Sequence, residues 1–274
     1  MRAMTAIEQG YYVFGLVLGQ SSLPQLTGFE GKFLEVVAEV GGIGAVGCAV
    51  SLDEFGQDEV ARRMSDIDWV SQVATRHYGL CEQLYQQTEN FLPFRLCTVF
   101  SGSEPVEQLL KERQVELTTE FERLGGKAEF GLKIWGREEW LSYYTITQDA
   151  HLQALQTTAN QGGGKAFFAR KQFEQALSEA KKRLLPQLGR RLALAISKAM
   201  SLNVSEVKVL GQLANSHEGY VAVINLSLLL EKTQADQLQK LAERLDREAL
   251  EGGLIEVIGP LPPYSFISLG QEAV

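Results

Sequence analysis

The sequence predicts an α+β protein of two domains, each a small β-sheet with helices packed on it. The length of 274 residues exceeds that of a usual single domain. Apolar residues make up 45% of the chain, enough to fill two cores. Strand-like and helix-like patterns follow one another in two similar series. We therefore expect an N-terminal α+β domain at 1–127 and a C-terminal α+β domain at 128–274, with a long helix and a proline-rich end.

The first series begins with three β-prone runs and a helix. Residues 11–18 predict a buried strand. Residues 33–40 and 43–51 flank Gly41-Gly42, a two-residue hairpin signal. Asp66 is a candidate helix cap, and steps of three and four residues then gather one apolar face, formed by Val70, Val73, His77, Leu80 and Leu84.

A further strand and helix complete this first series. Residues 94–100 predict a strand that Pro93 leads into. One helix is expected from about Ser103 and Pro105 until Gly125-Gly126 stops it. Its inward positions are Val106, Leu109, Leu110, Leu117, Phe121 and Leu124.

The second series is dominated by one long helix. A strand is expected at 129–136, then a connection at 149–164 that we interpret as mostly mobile. The helix follows the glycines at 162–164, and Pro186 should kink it or divide it in two. Its predicted buried stripe consists of Phe173, Leu177, Leu184, Leu188, Leu192, Ala195 and Ala199.

The chain ends with a hairpin, a helix and a last strand. Strands at 206–213 and 220–230 are joined by a turn-rich segment at 215–219. Thr233 opens a helix, Gly252-Gly253 ends it, and a strand at 254–258 closes the series. The elements of this second series therefore follow the order of the split β-α-β topology, which is strand, helix, strand, strand, helix, strand. Both domains are therefore predicted to be ferredoxin-like.

Composition excludes several classes of function. A net charge of −8 argues against a nucleic-acid partner, which demands clustered Lys and Arg. Cys48, Cys81 and Cys97 lie in apolar stretches without the paired spacing of a metal site, which suggests a reducing compartment. The N-terminus lacks the pattern of a secretion signal, and the longest apolar run, 220–230, is too short to cross a bilayer.

Two glycine motifs resemble nucleotide-binding sequences. Residues 42–47 match G-x-G-x-x-G, but the following residues are β-prone, whereas the motif requires the start of a helix there. We expect a hairpin arm whose glycines let another segment pack closely. Gly164-Lys165 resembles the end of a phosphate loop, but Ala159 and Ala166 replace the required glycine and hydroxyl. A flexible connection is expected instead.

Catalytic residues are not evident in the pattern. His77 lies in an apolar seam and is expected to be a hydrogen-bonded core residue. With only His151 and His217 besides, the chain has little material for a metal site or a histidine base. We therefore expect a protein that is not an enzyme and has neither cofactor nor metal.

Several stretches, taken in order from Tyr11 to Phe266, resemble the gas vesicle protein F/L family. They are Tyr11-Tyr12-Val13-Phe14-Gly15, the glycine-rich strand that ends at Val50-Ser51, Asp68-Trp69 with the helix containing His77, Leu92-Pro93-Phe94-Arg95-Leu96-Cys97-Thr98-Val99-Phe100, Glu129-Phe130-Gly131-Leu132-Lys133-Ile134, Asn225-Leu226, and Gly259-Pro260-Leu261-Pro262-Pro263-Tyr264-Ser265-Phe266. Two positions depart from the family: it usually has Phe-Gly where Leu96-Cys97 stand, and an acidic residue where Tyr78 stands.

The positions that carry this resemblance are candidates for structural or interface roles, with a fold-stabilising role favoured. Glu129 and Lys133 are expected on one face of a strand, and the stiff segment 260–263 is expected not to extend a sheet. The positions are Tyr12, Gly15, His77, Pro93, Arg95, Glu129, Gly131, Lys133, Gly259, Pro260, Pro263 and Tyr264.

The resemblance implies an accessory or minor structural protein of the gas vesicle, within the cytoplasm of a prokaryote. It implies binding to the main wall protein and other gas vesicle proteins, and a chaperone-like role in nucleating and assembling the shell. No nucleic acid or lipid membrane is expected as a partner. Two alternatives stay open: a permanent low-copy component of the shell surface, and a small-molecule-binding protein or enzyme on ferredoxin-like domains.

Overall fold

The computed structural model of the protein describes residues 8–19, 22–88, 90–161, 164–199, 204–211, 213, 217–248 and 253–268. Its contacts divide the chain into unit 1, Met1–Glu129 together with Leu261–Val274, and unit 2, Phe130–Pro260. The expected second domain included 261–274, whereas the contacts group this segment with unit 1. That the chain folds as two independent domains stays a prediction.

The sheet of unit 1 is antiparallel in all its strand pairs, in the order β2-β3-β1-β4, with β5 also pairing with β1. Val40 stands opposite Ile43, and Gly41 and Gly42 both have positive φ, +59° and +80°. A two-residue turn of this kind needs φ > 0 at both positions, so the predicted hairpin is confirmed. The strands are β1 Gln9–Leu18, β2 Glu35–Val40, β3 Ile43–Ser51, β4 Phe91–Pro93 and β5 Val99–Phe100.

The described residues of unit 1 also form helices beside this sheet: α1 Leu52–Phe55, α2 Gln57–Arg63, α3 Ile67–Gln87, α4 Ser103–Glu112 and α5 Gln114–Leu124. The Asp66 carboxylate caps α3, accepting from the backbone N–H groups of Asp68 and Trp69 at 3.1 Å each. The predicted face of α3 is buried from Val73 onward, and it also includes Cys81 and Tyr85. Both the cap and the face are therefore confirmed.

Two predictions for unit 1 are wrong. The strand expected at 94–100 is interrupted, because β4 ends at Pro93 and the chain turns before β5. The N–H of Cys97 and the carbonyl of Phe94 bond to buried side chains instead of a neighbouring strand. The single helix expected after Ser103 is two helices, because Arg113, with φ −109° and ψ 14°, separates α4 from α5.

The second sheet has the order β7-β8-β6-β9. Its strands are β6 Lys127–Arg137, β7 Val204–Val209, β8 Tyr220–Glu231 and β9 Leu254–Leu261. The helices of this part are α6 Glu138–Thr147, α7 Ala150–Ala159, α8 Gly164–Ala199 and α9 Ala235–Glu248. A short 3-10 turn over Lys232–Gln234 precedes α9, so the helix starts two residues after Thr233.

The long helix and its approach differ from expectation. The connection at 149–164, expected to be mostly mobile, contains α7, which the Asp149 carboxylate caps through bonds from the N–H groups of His151 and Leu152. Helix α8 runs through Pro186 without being divided, so of the two expected effects of this proline the division is wrong and the kink stays a prediction. Ala195 is exposed, not buried, because the covered side of this half of α8 runs through Gly189, Leu192 and Ile196.

The strand ends also shift. The strand expected to reach Leu213 ends at Val209. The last strand continues past Ile258 to Leu261, so the expectation that the segment 260–263 does not extend a sheet is wrong for Pro260. Because β9 is an edge strand, the sheet tolerates a proline that has no backbone N–H to donate. The predicted features at Gly162, Gly163, Asn215, Ser216, Gly252 and the side chain of Ala199 lie outside the described residues.

The glycine-rich strand β3 packs closely on its neighbour, as expected. A Cβ on Gly47 would lie 2.6 Å from the carbonyl oxygen of Tyr12 in β1. No helix start follows Gly47, since β3 continues to Ser51. Gly44 and Gly47 of the G-x-G-x-x-G match therefore serve strand packing, whereas Gly42 belongs to the hairpin turn.

Gly15 and Gly79 give opposite predictions for substitution by alanine. A Cβ on Gly15 would collide with the carbonyl oxygen of Leu92 and the ring of Phe91, so we expect Gly15→Ala to cost about 2–3 kcal/mol. Gly79 lies inside α3 with nothing within 4 Å of an added Cβ, so Gly79→Ala should stabilise by about 1 kcal/mol. Urea denaturation measures both; equal effects of the two substitutions would contradict the packing described for β1.

Candidate functional site

The positions that carry the family resemblance separate into two groups. Gly131, Lys133, Gly259 and Pro260 lie in unit 2. The others lie in unit 1, where most of them surround one buried hydrogen-bond network and one groove: Tyr12, Gly15, His77, Pro93, Arg95, Glu129, Pro263 and Tyr264.

The network joins three distant parts of the chain. The Tyr12 hydroxyl lies 3.0 Å from His77 Nδ1 and accepts the N–H of Cys97 at 2.8 Å. His77 Nε2 lies 3.2 Å from the carbonyl oxygen of Phe94. Because a carbonyl oxygen can only accept, we assign the proton of His77 to Nε2, which donates to Phe94. Nδ1 then accepts the hydroxyl proton of Tyr12. The turn after β4 is thereby fixed against both β1 and α3.

The groups of this network are neutral at pH 7. Burial lowers the pKa of His77 to about 4, outweighing the bond to Phe94, which raises it. Burial raises the pKa of the Tyr12 hydroxyl above its ordinary value. Burial also raises the pKa of the Cys81 thiol, whose Sγ lies 3.6 Å from His77 Nε2, to about 12. A protonated phenol, a neutral imidazole and a protonated thiol are suited to holding a shape. The predicted role of His77 as a hydrogen-bonded core residue is confirmed.

Aromatic rings enclose the network. The ring centroid of Tyr12 lies 4.9 Å from that of Phe14, 4.6 Å from that of Phe29 and 5.7 Å from that of Phe55. Such tilted and edge-on arrangements are the favourable ones for aromatic pairs. They also exclude water, which is why the pKa of His77 falls.

Cys97 shows how the chain departs from the family at this turn. Its φ of +62° lies in the left-handed region that glycine adopts without cost. The usual glycine of the family fits this conformation. The polar contact to Tyr12 uses the backbone N–H of residue 97, so it does not depend on the side chain there.

The carboxylates of Glu129 and Glu120 hold the C-terminal segment to the rest of unit 1. Glu129 accepts from the N–H of Ser265 at 2.7 Å and from its hydroxyl. Glu120 accepts from the N–H and the hydroxyl of Ser268 at 2.8 Å each. Arg123 bonds to Glu120 and donates to the carbonyl oxygen of Phe266 at 2.6 Å.

Electrostatics favour the ionised form of Glu120. Burial by itself would raise its pKa, but the bonds from Arg123 and Ser268 outweigh burial, and the pKa lies below its ordinary value. Sequence analysis missed Glu120, Arg123 and Ser268. The sequence does contain a signal for this pair. Glu120 lies among the predicted inward positions Leu117, Phe121 and Leu124, and Arg123 follows it three residues later.

A groove of about 330 Å³ opens beside the network; we call it the Arg95 groove. The Tyr78 ring stands edge-on to Tyr264 at 5.3 Å and to His77 at 5.2 Å, so an aromatic wall occupies the position of the family's usual acidic residue. Arg95 is exposed at this groove. The lining residues are Tyr78, Pro93, Phe94, Arg95, Leu96, Tyr264 and Ile267.

The positions in unit 2 lie on the two neighbouring strands β6 and β9. Lys133 forms an ion pair with Glu256 at 3.3 Å, and a Cβ on Gly131 would meet Ile258 at 3.5 Å. Gly259 and Pro260 are joined by a cis peptide bond. These contacts hold strand to strand.

Across the described ranges, no three His, Cys, Asp or Glu side chains are grouped so as to hold a metal ion. None of the described helices has the length and apolar character needed to cross a membrane.

The chain combines helices with two β-sheets, and solved structures of other proteins share this fold. It is similar to the crystal structure of gas vesicle protein GvpF from Anabaena sp. PCC7120, with a TM-score of 0.69 and 16% identity over 96% of this chain and 99% of that one. It is also similar to GvpF from Microcystis aeruginosa, with a TM-score of 0.64 and 15% identity over 94% and 98% of the two chains.

Sequence comparison identifies the family. The family model described as "Gas vesicle synthesis protein GvpL/GvpF" matches residues 10–268, and the chain belongs to this family. It is 25% identical to gas vesicle protein L of Streptomyces sp. (strain CB03234), over 85% of this chain and 83% of that protein. It is 26% identical to gas vesicle protein L2 of Halobacterium salinarum, over 97% and 94% of the two chains. The resemblance inferred from the sequence is therefore confirmed.

The buried His77 predicts a loss of stability in mild acid. The unfolded chain takes up a proton at His77 near pH 6.5, whereas the folded chain resists it until about pH 4. Because the folded pKa is lowered, the stability is present above the unfolded pKa and falls by about 3 kcal/mol as pH drops through this window. Urea denaturation at a series of pH values measures the slope.

His77→Gln should remove this part of the slope, and His151→Gln, at an exposed position, should keep it. If His77→Gln retained the wild-type slope between pH 6.5 and 4, the assignment to His77 would be wrong.

Substitutions at Cys97 test its left-handed backbone. Cys97→Gly removes a cost of about 1–2 kcal/mol but adds about 0.5–1 kcal/mol of backbone entropy, so equal or slightly higher stability is expected. Cys97→Val adds a β-branch at positive φ and should lose about 1–2 kcal/mol. Thermal melting ranks the variants; a valine variant as stable as the glycine variant would contradict the assigned conformation.

Proposed function

We propose that this chain is a non-catalytic accessory protein of the gas vesicle, which binds the main wall protein and assists nucleation and assembly of the shell. Membership of the gas vesicle family supports a role together with other gas vesicle proteins. The Arg95 groove carries the more specific proposal, because His77, Pro93, Arg95 and Tyr264 all converge on it or directly behind it.

The chemistry of the Arg95 groove matches an apolar protein segment. Its walls are aromatic and aliphatic, and Tyr78 is 47% exposed. Arg95 adds a guanidinium at the surface, and Tyr and Arg are the side chains most often found at energetic centres of protein interfaces. We expect an apolar side chain of the wall protein in the groove, with a neighbouring carboxylate paired to Arg95.

Energetics favour a reversible contact. A wall that keeps liquid water out of the vesicle needs apolar subunit surfaces, which would aggregate if left uncovered. Covering about 500 Å² of apolar surface yields roughly 12 kcal/mol before costs. Association costs of about 4–15 kcal/mol consume most of this. A contact of this strength suits a chaperone-like adaptor that hands subunits to a growing shell in the cytoplasm of a prokaryote.

The proposal extends to the architecture. The strand order of each sheet supports a ferredoxin-like domain. When the four strands that form the main row of each sheet are numbered along the chain, they lie side by side in the order second, third, first, fourth, as in the split β-α-β topology. In the second sheet the connections also follow this topology, with helices after β6 and between β8 and β9.

Co-purification with the wall protein tests the proposed function. Arg95→Glu and Tyr78→Ala should each reduce the recovered wall protein at least tenfold, since losing an interface centre costs about 2 kcal/mol or more. The matched controls are Lys32→Glu, the same charge change at an exposed position, and Tyr143→Ala, an exposed tyrosine of unit 2. Both controls should bind like the wild type.

Two outcomes would count against the proposal. Wild-type chain that neither binds the wall protein nor changes its solubility would overturn the function itself. Full binding by Arg95→Glu and Tyr78→Ala, with their folding verified by thermal melting, would overturn the groove as the binding site.

A further inference from the structure

Charge is distributed unevenly along the chain. Unit 1 has ten Lys and Arg against twenty Asp and Glu, whereas unit 2 has sixteen against fourteen. Helix α8 alone has nine Lys and Arg against two Glu. One helix of an acidic protein is thus strongly basic.

The second half of α8 presents these charges along one face, which we call the α8 stripe. Positions 183, 190, 194 and 198 follow steps of seven, four and four, which place them on one side of a helix. Arg183, Arg190, Arg191 and Lys198 are exposed, and Leu194 among them is 63% exposed. Within the described part of the chain, none of these four cations has a carboxylate partner.

Unit 1 has a groove of complementary character, the α1–α2 groove, with a volume of about 550 Å³. Its walls are mainly apolar, including Leu52, Phe55, Val60 and Phe100. Asp53, Glu54 and Asp58 are exposed on α1 and α2 and are sequence neighbours of the lining residues Leu52, Phe55 and Gln57, so we take them as an acidic rim of this groove. Glu59 of α2 is already paired with Arg62 and Arg63.

We infer that the α8 stripe of one copy of this chain docks in the α1–α2 groove of a second copy. Leu194 would enter the apolar part of the groove, and Arg190 and Arg191 would face Glu54 and Asp58. A cationic face meeting an anionic rim steers encounter and fixes orientation. The two surfaces differ, so the contact is head to tail, and it can continue from copy to copy instead of closing a dimer.

A second copy fits better than a polyanion. A nucleic acid or an anionic bilayer presents negative charge over a wide area, which the excess of ten acidic residues in unit 1 repels. Another copy instead offers its carboxylates beside an apolar groove, which matches a stripe that carries Leu194 between cations.

Sedimentation velocity of the purified chain tests this inference. At about 50 mM salt the average mass should rise with protein concentration, and at about 500 mM salt it should return to that of the monomer. Arg190→Glu/Arg191→Glu should stay monomeric. Arg170→Glu/Lys171→Glu makes the same charge change at exposed positions of α8 outside the stripe, and should associate like the wild type.

Complementary charge reversal identifies the groove. Glu54→Lys/Asp58→Lys should also stay monomeric. An equimolar mixture of this variant with Arg190→Glu/Arg191→Glu should associate, because one unaltered stripe then meets one unaltered groove.

Each of three results would overturn the inference. The first is a wild-type chain that is monomeric at all concentrations in low salt; if that monomer bound transfer RNA or anionic vesicles through the stripe, the occupant would be a polyanion instead. The second is association of Arg190→Glu/Arg191→Glu equal to wild type, and the third is a mixture that fails to associate.

Discussion

The hydrogen bond between Tyr12 and His77 is the interaction on which the organisation of unit 1 depends. It links the central strand to the longest helix of this unit, and each partner has a second bond, to Cys97 and to Phe94, that holds the turn after β4. A buried polar group left without its partner costs about 1–3 kcal/mol. The network therefore holds the wall of the Arg95 groove in one shape while remaining neutral itself.

Local signals in the sequence predicted those elements whose geometry is decided locally. Gly41-Gly42 predicted the hairpin because glycine takes φ > 0 without steric cost at both turn positions, and Asp66 predicted the start of α3 because its carboxylate reaches the first free N–H groups. The turn at 94–98 could not be predicted in this way, because a hydroxyl 85 residues away captures the backbone of Cys97. Pro260 was misjudged because its place in a strand depends on β9 being an edge.

The candidate site was predicted only in part, for the same reason. The resemblance to the family singled out His77, Pro93, Arg95 and Tyr264, but spacing in the sequence gave no sign that they surround one groove. The C-terminal residues reach it because Glu129 and Glu120 hold Ser265 and Ser268. In the proposed account, unit 1 offers one groove to the wall protein and another to the basic helix of a second copy, so that one chain could hold a subunit and a neighbour together.

The central claim is that the Arg95 groove contacts the wall protein during assembly. Its most direct test is photo-crosslinking in cells that form gas vesicles, with a photoreactive amino acid replacing Leu96 in the groove or, separately, Tyr143 in unit 2. We predict an adduct of this chain with the wall protein from position 96 and none from position 143. An adduct from position 143, with none from position 96, would contradict the account.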